Sequence, residues 1–415
     1  MSILEYLKKT KIASYDLAIL SEDKRNTVLT SLAEVLLNSC DKILDANAKD
    51  LAKIDKHNPQ YDRLQLTESR VKAISDDIKN VTLLPFPIFK NLENKIMPNG
   101  LEIEKVSVPL GVIGIIYEAR PNVTIDAFCL CFKSGNAVVL KGGKEAYHSN
   151  SIFVDIIQNC LKEHGVDVNA VYLFPPSREE TNILLQANGL VDVCIPRGSQ
   201  SLINFVRQNA KIPVVETGAG IVHTYFDVNG DIKKGRDIIS NAKTRRVSVC
   251  NTLDCLLIHK ERINDLYYLI EPLQNHNVEI FADAKSYEML KPDYNLELLH
   301  QAKEDDFGTE FLSYKLAVKV VESINEAVQH IMHYTSGHSE AIITEDVKIA
   351  NRFIDKIDAA VVYVNASTAF TDGGQFGMGA EIGISTQKLH VRGPMGLEAL
   401  TSYKWIVRGN GQIRA

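Results

Sequence analysis

Long apolar runs are missing from this 415-residue chain. No stretch approaches the roughly 20 residues that cross a bilayer as a helix, so a helical membrane protein is excluded. A paired-cysteine framework is missing as well. The seven cysteines (Cys40, Cys129, Cys131, Cys160, Cys194, Cys250 and Cys255) are odd in number and contain no C-x-x-C pair. That excludes a disulfide scaffold and leads us to expect a reducing, cytoplasmic location. Positive charge is not in excess: the net charge of -6 leaves no electrostatic footprint for nucleic acid or an anionic membrane surface. Small molecules are the expected partners. The eleven histidines are scattered without metal-ligand spacing, so no metal is expected. No internal repeat or low-complexity tract is present. Acidic and basic residues interrupt the apolar positions of MSILEYLKKTKIASYDLAIL, which therefore does not read as a signal peptide.

What is present is an ordinary globular composition long enough for two domains. From Ile3 to about Leu84 the apolar positions repeat at helical spacing (Leu29, Leu32, Ala33, Leu36, Leu37; then Val71, Ile74, Ile78). A Pro85-Phe86-Pro87 step ends this lead-in. After an Asn99-Gly100 turn, Glu102 to Pro109 alternates as an extended ribbon. Strand and helix patterns then alternate. Strands are predicted at 111–116, 136–140, 171–174, 191–195 and 214–215, with helices at 126–133, 151–164, 178–187 and after Gly198. This is the pattern of a doubly wound parallel sheet. No G-x-G-x-x-G fingerprint follows the first strand, so any dinucleotide site must use another phosphate-binding arrangement. A second α/β series follows Gly220, with strands predicted at 221–226, 256–258, 278–281, 317–321, 340–344 and 360–364 and helices at 231–242, 262–274, 324–333 and 346–355. The glycines of TDGGQFGMGAEIG (371–383) fit a tight loop, and TSYKWIV (401–407) reads as a terminal strand carrying the only tryptophan, Trp405.

The stretch with most chemistry is NAKTRRVSVCNTLD (241–254), at a helix-to-strand junction. It sets Cys250 after Lys243, Arg245 and Arg246 and among Thr244, Ser248, Asn251 and Thr252. A thiol attacks as its thiolate, which nearby cations favour, so Cys250 is the candidate nucleophile.

The segments PLGVIGIIYEARPN, SGNAVVLKGGKEA, IPRGSQSLI, VSVCNT, VNASTAFTDGGQFGMGAEIG and STQKLHVRGPMGLEALTSYKW together resemble the aldehyde dehydrogenase superfamily. Within it they resemble the gamma-glutamyl phosphate reductase family, over essentially the whole chain. The resemblance implies two doubly wound α/β domains plus a small β oligomerisation element: residues 1–222 for the cofactor, 223–396 for the nucleophile, and 99–109 with 397–415 for assembly into a homodimer or tetramer. It implies reduction of glutamyl 5-phosphate to the semialdehyde through a Cys250 thioester, in proline biosynthesis. The competing reading is an aldehyde dehydrogenase that oxidises a free aldehyde to an acid or acyl-CoA. By the same resemblance the oxyanion donor is Asn122, or Arg120 in the ungapped register. Lys141 would contact the adenosine ribose, Gly198 and Ser199 the cofactor phosphates, and Glu310 the nicotinamide ribose. Lys144 stands where many NAD-dependent members carry a glutamate, which implies NADPH as cofactor. Glu216 falls near the superfamily's general base. Arg120, Arg245, His390 and Arg392 are the candidate partners of the substrate's carboxylate and phosphate.

Overall fold

The computed structural model describes residues 2–56, 58 and 60–414. The chain forms two compact units: Met1–Thr217 with Gly377–Gly383 and Met395–Ala415, and Gly218–Phe376 with Ile384–Pro394.

In the first unit the helical lead-in resolves into α1 (Ile3–Ile19), α2 (Glu22–Asn38), α3 (Cys40–Leu51), α4 (Gln60–Leu64) and α5 (Glu68–Leu83). The hydroxyls of Ser2, Ser21 and Thr67 cap α1, α2 and α5 by accepting the N–H groups of Glu5, Lys24 and Arg70. The apolar stripe of α2 (Leu29, Leu32, Leu36) is fully buried. Arg25 lies in the same core, where its guanidinium donates to the carbonyls of Leu17, Leu20 and Phe132. Those bonds remove the cost of burying its donors.

The chain continues through β1 (Asn91–Ile96), β2 (Glu102–Pro109), β3 (Val112–Tyr117), α6 (Asn122–Lys133), β4 (Ala137–Gly142), α7 (Tyr147–Glu163), β5 (Val171–Leu173), α8 (Arg178–Leu185), β6 (Val193–Arg197) and α9 (Gln200–Asn209). β3 and β4 are buried along their whole length, as their unbroken apolar runs require. The parallel sheet has the order β5-β4-β3-β6. The chain therefore steps outward from β3 and then returns to its other side, which makes a switch point between β3 and β6. Gly111, just before β3, is at φ +123°, and a Cβ there would lie 2.2 Å from Asp192 Oδ2. That carboxylate accepts the Val112 N–H and the Lys11 ammonium. Only glycine fits this corner.

The second unit contains β7 (Val222–Phe226), α10 (Ile232–Thr244), β8 (Leu253–His259), α11 (Leu266–Ile270), β9 (Glu279–Ala282), α12 (Ala284–Leu290), β10 (Leu299–Gln301), β11 (Lys315–Val321), α13 (Ile324–Tyr334), β12 (Ser339–Ile343), α14 (Val347–Lys356) and β13 (Val361–Val364), followed by the short pair β14 (Ile384–Ser385) and β15 (Gly393–Pro394). Its sheet has the order β10-β9-β11-β8-β7-β12-β13 with every pairing parallel. One core packs Leu253, Leu256 and Val318 with Leu266 and Leu269; another packs Cys255, Leu257 and Ala317 with Ile331 and Phe353.

Several expectations are corrected. The strand at 214–215 is only an isolated bridge between Val214 and Cys194, next to Pro213, which has no N–H to extend a ladder. The helix over 262–274 is broken: α11 keeps five residues and Pro272 opens a 3₁₀ turn. The strand β1 was not foreseen, because NLENKI is polar and exposed; β2 pairs it on one side and the terminal strand β16 (Thr401–Arg408) on the other.

Candidate functional site

Helix α10 leads into the Cys250 segment. Its first turn is capped by Asp231, whose carboxylate accepts the N–H groups of Lys233 and Lys234 at 2.9 Å, and it ends at Thr244. The chain then turns before β8. Thr252 closes that turn, donating from its N–H to the Val249 carbonyl and from Oγ1 to the Arg246 carbonyl at 2.8 Å. The Asn251 amide donates to the carbonyls of Ala369 and Thr371, and Thr368 Oγ1 donates back to the Asn251 carbonyl. Thr371 is itself held by Ser339 and Tyr363. Cys250 thus sits in a turn fixed by both of its flanks. From the other side Gly220 presses on it: a Cβ at 220 would lie 1.6 Å from the Cys250 carbonyl oxygen. The Gly220 N–H is in turn held by Glu310 Oε1 at 2.9 Å. Burial raises the Glu310 carboxyl above its ordinary range, with the Gly220 hydrogen bond pulling the other way. Glu310, Gly220 and Cys250 therefore form one connected group.

Of the other cysteines, all but Cys40 are buried. Burial pushes up the thiols of Cys129, Cys131, Cys160, Cys194 and Cys255, and desolvation with Glu68 and Asp41 does the same for Cys40. Cys250 is half-buried. The basic patch expected beside it is only partly there. Arg245 and Arg246 are exposed, but Lys243 is fully buried. Its ammonium donates to the Leu253 carbonyl at 2.8 Å and lies 3.8 Å from Asp254. Burial lowers the Lys243 pKa and raises that of Asp254. Lys243 fails as a surface cation because it falls on the inward stripe of α10 with Ile239 and Ala242.

In the first unit, the expected cofactor residues collect at the carboxyl ends of the parallel strands. Lys141 is the last residue but one of β4, is buried, and reaches the Gly142 carbonyl at 3.3 Å. Burial lowers its pKa against the pull of Glu180 and Glu145. Lys144 is exposed just beyond. Gly198 and Ser199 open α9 after β6, with Ser199 as the cap. The structure adds Glu118, which follows β3: its carboxylate accepts the Ser199 N–H at 2.8 Å and Ser199 Oγ at 2.9 Å. A helix start that favours anions is met here by the chain's own carboxylate. Nothing local in the sequence marks Glu118; only the β3–β6 pairing reveals it.

Asn122 opens α6 and donates from Nδ2 to Asp126 at 2.9 Å. Burial pushes the Asp126 carboxyl up to about 7. One amide hydrogen of Asn122 is thus engaged and a primary amide carries two. Arg120 and His390 are exposed. Arg392 is committed elsewhere, donating to the Asp358 carboxylate at 2.7 Å and to its carbonyl at 3.0 Å, with Lys388 on the same carboxylate. Glu216 lies 3.7 Å from Arg207.

The chain shares its architecture with an acetylating aldehyde dehydrogenase from Geobacillus thermoglucosidasius, with a TM-score of 0.71 at 16% identity over 99% of this chain and 97% of that one. The fold is therefore that of the aldehyde dehydrogenases. Identity is far higher to the gamma-glutamyl phosphate reductase of Legionella pneumophila (strain Paris), 56% over 99% of both sequences. The crystal structure of the gamma-glutamyl phosphate reductase from Thermotoga maritima matches with a TM-score of 0.95 and 40% identity, over 99% of both chains. This chain belongs to the gamma-glutamyl phosphate reductase family. No family model matches it.

Proposed function

We propose that the chain reduces L-glutamyl 5-phosphate to L-glutamate 5-semialdehyde and phosphate with NADPH, as a step of proline biosynthesis, through a thioester on Cys250. The observation that carries the reading is Cys250, half-buried in a turn that the hydrogen bonds of Asn251 and Thr252 pin on both flanks. The Cys250 thiolate attacks the acyl carbon, the C–O bond to phosphate breaks, and phosphate leaves with the bond's electrons. An acyl phosphate is already activated, so a positioned nucleophile suffices. NADPH held by the residues named below would supply the hydride that reduces the thioester to a thiohemiacetal. Breaking the C–S bond then releases the semialdehyde and restores the thiolate. The Cys250 N–H and the Asn122 amide serve as oxyanion donors.

Lys141 and Lys144 of residues 1–222 would hold NADPH, together with the turn at Gly198 and Ser199 once Glu118 gives up the Ser199 N–H, while Glu310 would take the nicotinamide ribose. Residues 223–396 carry the nucleophile. Arg120, Arg245, His390 and Arg392 remain the candidates for the substrate's anionic groups, with Arg392 also donating to Asp358. The exposed cation at Lys144 suits a 2′-phosphate, and Lys144→Glu is expected to cut the preference for NADPH over NADH about tenfold or more. The sheet β1-β2-β16 exposes Leu92, Ile96, Tyr403, Trp405 and Val407, which supports its use in homo-oligomerisation. Sedimentation showing only a 46.2 kDa species at micromolar concentration would count against that use.

The test runs the reaction backwards: NADP-dependent oxidation of glutamate 5-semialdehyde with and without phosphate. Dependence on phosphate is expected. Undiminished oxidation without phosphate would mean that water or another acceptor takes the acyl group, and the free-aldehyde dehydrogenase reading would replace this one.

A further inference from the structure

The sequence shows no metal-ligand spacing, yet the fold of the second unit assembles three donors that are distant along the chain. His223 of β7 and Cys255 of β8 are direct partners across two parallel strands, and Glu340 of β12 is the partner of His223 on its other side. Residues paired in this way project to one face of a sheet. From α13, His330 is brought against the same row, with its Nε2 3.8 Å from Cys255 Sγ. One ring nitrogen of each histidine and the Cys255 sulfur all lie within 4.8 Å of one another, and all three residues are buried.

Two further observations concern His223. Its Nδ1 lies 3.1 Å from Glu340 Oε2, an oxygen that also accepts the His223 backbone N–H at 2.9 Å. A carboxylate accepts, so Nδ1 carries the proton and Nε2 is left as a lone pair. That Nε2 is buried and has no hydrogen-bond partner, on a side chain that is 0% exposed. An orphaned buried acceptor is costly unless something fills it. A histidine held through one nitrogen by a carboxylate, with its other nitrogen unfilled, is the arrangement that orients a metal ligand. Around a tetrahedral zinc ion, sulfur and nitrogen ligands would stand about 3.6 Å apart, close to the separation found between Cys255 and His330. Phe307 and Tyr334 pack on the His330 ring, and the Lys319 ammonium lies over the ring of Phe307.

We infer that His223, Cys255 and His330 form a binding site for one borderline-soft divalent transition-metal ion of the zinc type, with Glu340 orienting His223. Binding releases the Cys255 thiol proton, and a fourth position is left for water or another ligand. This site is separate in its residues from those proposed for reduction of the acyl phosphate, although Cys255 lies only five positions after Cys250. Because the donors are buried, the ion enters most readily while the chain folds.

The test uses the full-length protein produced in medium supplemented with cobalt(II), purified, and examined by metal analysis and absorption spectroscopy. The expected result is about one cobalt per chain, with a thiolate-to-cobalt band in the near ultraviolet and visible bands typical of tetrahedral coordination. The band persists in Cys250→Ala and is lost in Cys255→Ala. His330→Gln, which keeps most of the side-chain volume, likewise loses the tetrahedral spectrum. Glu340→Gln weakens retention against a chelator about 10- to 100-fold. Folding of each variant is checked by circular dichroism, and if Cys255→Ala does not fold, His330→Gln decides. Overturning results are wild-type protein without a thiolate band, a band that disappears in Cys250→Ala instead, or one that survives in folded Cys255→Ala or His330→Gln.

Discussion

Cys250 and Cys255 stand five positions apart, one in the turn before β8 and the other inside it, and their surroundings share almost nothing. The turn is half-exposed and held by hydrogen bonds from Asn251, Thr252 and Thr368, with Gly220 packed against its backbone. The strand is buried along its whole length, and burial together with Glu340 and Asp254 raises the Cys255 thiol well above its ordinary value. The two surroundings suit one residue type to two kinds of chemistry. Access and a fixed backbone suit a nucleophile, whereas enclosure beside two histidines suits a metal ligand.

The contrast can be broken or sharpened by substitution. Cys250→Ala is expected to lower turnover by about 10⁴-fold or more, because the covalent route disappears with the nucleophile; steady-state kinetics check it. Lys243→Met acts where helix α10 meets the start of β8. It leaves Asp254 buried without its cation and should cost about 3–5 kcal/mol in a urea unfolding titration. Gly220→Ala forces the Cys250 backbone aside and leaves the strand's own ladder intact, so about a 10²-fold loss of kcat is expected with near-native circular dichroism. The mildest change is Glu310→Ala, which removes the partner of the Gly220 N–H and should lower stability by about 1–3 kcal/mol, measured by thermal or urea unfolding.

How much of this was readable beforehand depends on the range of the interaction. The buried strands β3 and β4 declare themselves as unbroken apolar runs, and the Cys250 turn declares itself through its polar flanks. Lys243 misleads, since a basic residue within a basic run looks exposed until α10 is laid down and its inward stripe counted. Glu118 meets Ser199 only because β3 and β6 are neighbours, a pairing across 81 residues. The donor group of His223, Cys255 and His330 depends on strand register and on a helix docked from 75 residues away, so no local spacing announces it. The approach of Gly220 to the Cys250 carbonyl is likewise a contact that only the fold creates.

The central claim, that the acyl group is carried by Cys250, is tested most directly by mass spectrometry. The full-length protein is incubated with glutamate 5-semialdehyde and NADP in the absence of phosphate, then digested with trypsin. Residues 247–260 fall in one peptide that holds both cysteines, so fragmentation assigns the adduct between them. The account predicts one glutamyl group on Cys250 that disappears when phosphate is added. A glutamyl group on Cys255, or turnover with no acylated peptide at all, would contradict it.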